Sequence, residues 1–246
     1  MGTTGHTALD AEIARFDRLA QRWWDPRGPM APLHRMNPVR VGWIVERLAR
    51  AHGRDPAAPD ALHGLRVLDV GCGAGLASEA LAHRGAVVTG LDAAGQALAV
   101  ARRHAAAGGL TIDYREGVPE GLTAEAGGYD AVLALEVVEH VADRDAFLGH
   151  LARLARPGGG RVFLSTLNRT PRAFLLAKLG AEYLLRWLPV GTHDWRMFVT
   201  PAELGAGLRA AGLRVTDIAG VTLDPLRGAF RISQDVSVNY LLAAAR

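Results

Sequence analysis

The sequence predicts an α/β fold, a Rossmann-like, doubly wound and mainly parallel sheet. Three observations carry this. Short apolar runs alternate with helical patterns from Arg66 to Leu167, and strands alternating with helices imply βαβ units. The first run, Val67-Leu68-Asp69-Val70, flows into Gly71-Cys72-Gly73-Ala74-Gly75, a glycine turn at the carboxyl end of a strand, where such sheets bind ligands. The length, 246 residues, suits one such domain with added helices.

Each element follows from its local pattern. The first ten residues are polar and read as frayed. Ile13, Phe16, Ala20 and Trp23 then share one helical face. Residues 25–32 are rich in Pro and Gly and read as a loop. A second helix is expected from Asn37 as N-cap with Pro38 at the first helical position, its apolar stripe being Val41, Ile44, Val45 and Leu48. With a linker at 52–59, this makes residues 1–60 an N-terminal helical cap on a main domain, 61–246. Strands are expected at 66–70, 86–91, 110–114, 129–135 and 161–167, with helices at 76–84, 95–107 and 143–156. The last of these helices stops before Pro157-Gly158-Gly159-Gly160. Thr200, Pro201 and Glu203 form a capping box that opens another helix, and 213–218 and 236–243 read as closing strands.

Residues 170–199 interrupt this alternation as an insert after strand five. Pro171 suits a first helical position, and Lys178, Glu182 and Arg186, four apart, make one narrow polar stripe. The rest of 170–189 is dominated by Phe, Leu, Tyr and Trp. That composition suits an apolar helical lid or an interfacial helix on a membrane surface; the plainer reading is a helix packed on its own domain.

Composition narrows the function. The formal net charge is +3, with arginines scattered among acids, which gives no basic patch for nucleic acid. The single cysteine, Cys72, excludes an internal disulfide and fits a reducing compartment. No secretory pattern opens the chain, and no uncharged apolar stretch reaches the ~18 residues of a spanning helix. The expected location is cytoplasmic, peripherally on the inner membrane through 170–189.

Two clusters carry chemistry. The turn is spaced Gly-x-Gly-x-Gly, and Leu76 stands where a dinucleotide fingerprint has its third glycine. Asp69, before the turn, suits an amino-acid ammonium group better than a pyrophosphate. Asp92, ending the second strand, can accept from ribose hydroxyls. The alternative is a tight turn with no ligand. The second cluster is Glu136, Glu139 and His140. If a helical turn starts there, positions three and four apart share a face. Such a set can hold a divalent cation or place a base beside a hydroxyl; alternatively, the acids complement a helix dipole and the imidazole packs structurally.

At these residues the chain resembles class I S-adenosylmethionine methyltransferases. More narrowly, from about Ile13 to Tyr240 it resembles bacterial ubiquinone-biosynthesis O-methyltransferases. The segments Arg22-Trp23-Trp24-Asp25, Pro32-Leu33-His34-Arg35-Met36-Asn37-Pro38-Val39-Arg40, Ser165-Thr166-Leu167-Asn168-Arg169 and Val238-Asn239-Tyr240 carry that narrower likeness. The resemblance implies seven strands with the last antiparallel, and O-methylation of phenolic or catechol hydroxyls on polyprenylated ubiquinone precursors. It implies cofactor contacts at Arg40, Gly71, Asp92 and Leu135, beside Asp69, Gly73 and Gly75 from the turn. It also implies a magnesium-type (Mg2+) site at Glu136, Glu139 and His140, and other ubiquinone-biosynthesis proteins as partners; His140 is the preferred base for the phenol proton, because imidazoles exchange protons near neutrality. Leu135 stands where the family commonly has methionine, and Ala74 where it has glycine. The competing readings are a methyltransferase for soluble phenols, a nicotinamide oxidoreductase, disfavoured by the missing third glycine, and a non-catalytic cofactor-binding subunit of a quinone-synthesis assembly.

Overall fold

The structure, a computed structural model, describes residues 10–175, 195–224 and 228–246. Among these residues eight strands form one central sheet: β1 (Arg66–Val70), β2 (Val87–Asp92), β3 (Asp113–Glu116), β4 (Ala131–Leu135), β5 (Arg161–Leu167), β6 (Arg214–Asp224), β7 (Ala229–Ser233) and β8 (Asn239–Ala245). Their order is β3-β2-β1-β4-β5-β8-β6-β7. The first five run parallel. β8 lies antiparallel between β5 and β6, and β7 forms an antiparallel edge on β6. The expected sheet had seven strands; Ala229–Ser233 is the addition. Its alternation is poor, because most of this edge strand is exposed or half-exposed, which hides it from a pattern search.

Among the described residues the α-helices are α1 (Asp10–Leu19), α2 (Ala31–Ala51), α3 (Leu76–Ala82), α4 (Gly95–Ala107), α5 (Arg144–Leu154), the short α6 (Pro171–Ala173) and α7 (Pro201–Ala210). α2 starts six residues before the expected N-cap, at Ala31, with Pro32 in its first turn and Pro38 in its interior. Asn37 caps nothing there; it is buried, and its Nδ2 donates to Leu76 O (2.8 Å) at the start of α3. Tertiary contact thus overrides a local capping preference. At α7 the capping box forms as read, with Thr200 Oγ1 accepting from Glu203 N–H. The insert is described only at its ends: Thr170 caps α6, while 176–194, most of the expected apolar helix, lies outside the described residues.

Side chains alternate across the strands, and both faces of the sheet are buried. Leu68, Val70, Val132 and Ala134 pack with Phe147, Leu148 and Leu151 of α5 and Leu204 and Leu208 of α7. Val67, Ala131 and Leu133 face the other way, onto Trp43, Ile44 and Leu48 of α2 and Leu81 of α3. Burial on two faces explains why these strands read as continuous apolar runs. The winding reverses at β1, which has β2 on one side and β4 on the other. The crevice at the carboxyl ends of β1 and β4 is therefore the topological switch point, where the glycine turn and Glu136 sit.

Candidate active site

The turn after β1 takes a path that requires glycine. Gly71, Gly73 and Gly75 have φ of 70, 54 and 89°, a region costly for other residues. A Cβ would collide with Val137 Cγ2 at Gly71, with the Trp23 ring at Gly73 and with Tyr114 Oη at Gly75. The turn is tied to β2. Gly71 N–H and Cys72 N–H donate to Leu91 O (2.7 and 3.2 Å), and Gly73 N–H donates to Asp92 Oδ2 (2.7 Å). Asp92 Oδ1 accepts from Ala94 N–H (2.8 Å). The carboxylate thus braces turn and helix start together. Burial raises its pKa against these hydrogen bonds.

Asp69 and Arg40 form the second part. Asp69 is 2% exposed, and its Oδ2 accepts from Ser78 Oγ (2.6 Å). Burial pushes its pKa up to about 6, against the Ser78 hydrogen bond and the charge of Arg40. Arg40, on α2, is 4% exposed. Burial depresses its pKa, while the charges of Glu136, Asp69 and Glu139 act the other way. Its Nη1 is 3.6 Å from Glu136 Oε1, yet neither Nε nor Nη1 has a hydrogen-bond partner among the described residues. A buried guanidinium is costly unless its donors meet an anion.

Glu136, just beyond β4, has φ 58°, the one positive value for a non-glycine among the described residues. β5 and β8 hold it there. Its N–H donates to Ser165 O (3.0 Å), and its Oε1 accepts from Ser165 Oγ (2.7 Å) and Asn239 Nδ2 (3.1 Å). A 3-10 turn spans only Val138–His140. Glu139 is buried in it, with Oε2 accepting from Thr166 Oγ1 (2.8 Å). Burial, then the charge of Glu136, raises its pKa, and His140 opposes this. His140 closes the turn, partly buried.

This corrects one expectation. Glu136, Glu139 and His140 do not share one helical face, because Glu136 precedes the turn in a left-handed conformation. Among the described residues no three His, Cys, Asp or Glu side chains are arranged to hold a metal ion, and a magnesium-type site at these three residues stays an expectation. Glu136 is turned to Arg40, Ser165 and Asn239, while Glu139 is sunk against Thr166.

The remaining expected residues lie along the same crevice. Leu135 ends β4, partly buried. The cover comes from the chain before α2. Trp23 is buried over Gly73. Trp24 stacks on His104 of α4 at 3.4 Å between ring centres and donates through Nε1 to Ala74 O (3.0 Å). His34 Nε2–H donates to Trp23 O (2.8 Å). Sequence reasoning gave Ser165, Thr166, Asn239 and these tryptophans no place in the site. Two consecutive hydroxyls inside the apolar run of β5 were the available sign, since buried polar groups need partners.

Comparisons with known proteins agree with this layout. A family profile described as a methyltransferase domain matches residues 68–163, from β1 into β5. The ubiquinone biosynthesis O-methyltransferase of Azorhizobium caulinodans is 50% identical, covering 98% of this chain and 96% of its own. Its namesake from Methylobacterium nodulans is also 50% identical, covering 99% and 98%. Among solved structures, magnesium protoporphyrin IX methyltransferase of Synechocystis with bound SAM has a TM-score of 0.62 at 22% identity, with 98% and 100% of the two chains covered; that likeness concerns the fold. From the glycine turn, the switch-point crevice and half-identity along nearly the whole chain, it follows that this protein belongs to the ubiquinone biosynthesis O-methyltransferases, S-adenosylmethionine-dependent enzymes of the class I methyltransferase fold.

Proposed function

We propose that the chain transfers the methyl group of S-adenosylmethionine to a phenolic hydroxyl of a polyprenylated ubiquinone precursor. The observation that carries this is Arg40: a buried guanidinium with two unpartnered donor nitrogens, within electrostatic reach of the buried Asp69 carboxyl at the glycine turn. Arg40 would take the carboxylate of the cofactor's amino-acid end and Asp69 its ammonium group. Asp92 would accept from the ribose hydroxyls, and Leu135 would pack against the base. Gly71, Gly73 and Gly75 leave the backbone open to close approach.

When bound, the sulfonium supplies an already activated methyl group. The protein's work is then to align the acceptor oxygen in line with methyl and sulfur and to remove the phenol proton. His140 is the proposed base, since an imidazole in general exchanges protons near neutrality. Glu139 would balance the imidazolium that forms; the opposing effect of His140 on its pKa is consistent with their closeness. No step of this reading runs through a metal. Charge is neutralised in the transition state, so a dry crevice favours transfer. The segment at 170–189 would supply that dryness, seat the prenyl tail and touch the cytoplasmic membrane surface. Exposed Leu175, 55% accessible, supports this. Among the described residues no helix is long and apolar enough to cross a membrane.

Transfer of labelled methyl to a short-chain catechol tests the reaction. We expect product from the wild type and a kcat lowered about 10²- to 10⁴-fold in His140→Ala. No transfer by the wild type would overturn the proposal; an unchanged His140→Ala would remove the base. For the membrane role, deleting 176–189 should reduce co-sedimentation with anionic vesicles, and undiminished binding would sink it.

A further inference from the structure

Asn239 opens β8 and is 6% exposed. Because β8 runs antiparallel to β5, its first residue pairs with Leu167, the last of β5. That places a side chain from the end of the sequence at the carboxyl ends of the parallel strands. Its Nδ2 donates to both oxygens of Glu136, at 3.1 and 3.4 Å. The carboxylate fixes the amide's orientation, since a reversed amide would set Oδ1 against another acceptor. Oδ1 is therefore left as an acceptor, and it is buried without a hydrogen-bond partner among the described residues.

Holding Glu136 requires donors only, and Ser165 Oγ already supplies one at 2.7 Å. A buried carbonyl oxygen with no donor is costly, so the acceptor half of Asn239 serves something that comes from outside the chain. It needs an O–H or N–H donor. The reacting phenol cannot be the donor once its proton has gone, but a second hydroxyl on the neighbouring ring carbon can. The same Glu136 carboxylate lies 3.6 Å from Arg40 Nη1, which puts Asn239 within one residue of the group assigned to the cofactor.

We infer that Asn239 is a specificity-determining residue: its Oδ1 accepts from the neutral hydroxyl beside the reacting one, so the enzyme selects vicinal dihydroxy rings over phenols with a single hydroxyl. This rests on the proposed methyl transfer to phenols, and the test separates the two claims.

The readout is the ratio of kcat/KM on a short-chain catechol to that on the same ring lacking the second hydroxyl. In the wild type the catechol is preferred. Asn239→Leu, with the same branched skeleton, should cut that ratio by about 10- to 100-fold, beyond any loss common to both substrates. Ser165→Ala also removes a hydrogen bond from Glu136 but leaves Oδ1 in place; it should lower both substrates alike and keep the ratio. Should Asn239→Leu not fold, as judged by absent cofactor heat in calorimetry, Asn239→Ser enters the same assay. A ratio that survives loss of Asn239, or a wild type indifferent to the second hydroxyl, overturns the inference while methyl transfer stands. A wild type that methylates neither ring overturns the functional reading, and this one with it.

Discussion

Replacing Asp69 with asparagine should stabilise the cofactor-free protein near neutral pH and weaken cofactor binding. Burial raises the Asp69 carboxyl from its ordinary 3.8 to about 6. Between those values the native state holds a proton that the unfolded chain has lost, so stability declines as pH rises from about 4 to about 6. Above that window the full cost is in place. The shift of about two units, at 1.36 kcal/mol each, makes it about 3 kcal/mol. Solvent does not screen it, since the side chain is 2% exposed. Asparagine mimics the protonated acid and can still accept from Ser78 Oγ, which lies 2.6 Å from Oδ2 in the wild type. Urea unfolding should show Asp69→Asn more stable by about 3 kcal/mol near pH 7.5, with the gap closing toward pH 4. A cationic ammonium favours the ionised carboxyl. Wild-type affinity for the cofactor should therefore rise with pH, by at most about tenfold per unit, up to about pH 6, and then level off. The variant should bind more weakly with no such rise. A variant no more stable than wild type near neutrality, or a stability gap that does not narrow on acidification, would refute the reasoning.

Further outcomes follow from the same crevice. Arg40→Leu should weaken cofactor affinity by about 10- to 100-fold in calorimetry, the worth of a charge-assisted hydrogen bond to a buried guanidinium; unchanged affinity would free Arg40 from that role. Gly73→Ala should cost about 1–2 kcal/mol for its left-handed backbone alone and dislodge Trp23. An altered near-ultraviolet tryptophan signal with reduced cofactor binding would report this, and an unchanged signal would contradict it. Trp24→Ala should lower unfolding free energy by about 3 kcal/mol in urea, because it removes both the His104 stack and the bond to Ala74 O. A loss below about 1 kcal/mol would mean that the cover over the turn is held elsewhere.

How far the sequence showed the structure differs between elements for physical reasons. β1, β5 and α4 fall where their patterns put them, because strands buried on both faces and helices with one apolar stripe write their environment into every residue. β7 does not, since an exposed edge strand has no core to select its side chains. Asn37-Pro38 looked like a helix start by capping chemistry, yet α2 already runs from Ala31. There the gain is in packing of the added turns: Met36 is buried and Leu33 packs against the same cluster, each such burial contributing about 2 kcal/mol, more than a cap supplies. The apolar insert at 176–194 stays an expectation.

The cofactor end of the site was legible because its chemistry is local: glycines at fixed offsets and acids at strand ends. The acceptor end was not, because contacts of Glu136 reach 29 residues along the chain to Ser165 and 103 to Asn239. Nor does spacing reveal backbone strain. Glu136 holds φ 58° at a cost of about 1–2 kcal/mol, and Gly or Asn would adopt that conformation more readily. Conformation alone therefore does not explain a glutamate here. What the position needs is a carboxylate, bent back off β4 to lie between Arg40 and Asn239. Relieving the strain with glycine should keep the fold and lose the connection between the cofactor's arginine and the amide that faces the acceptor ring.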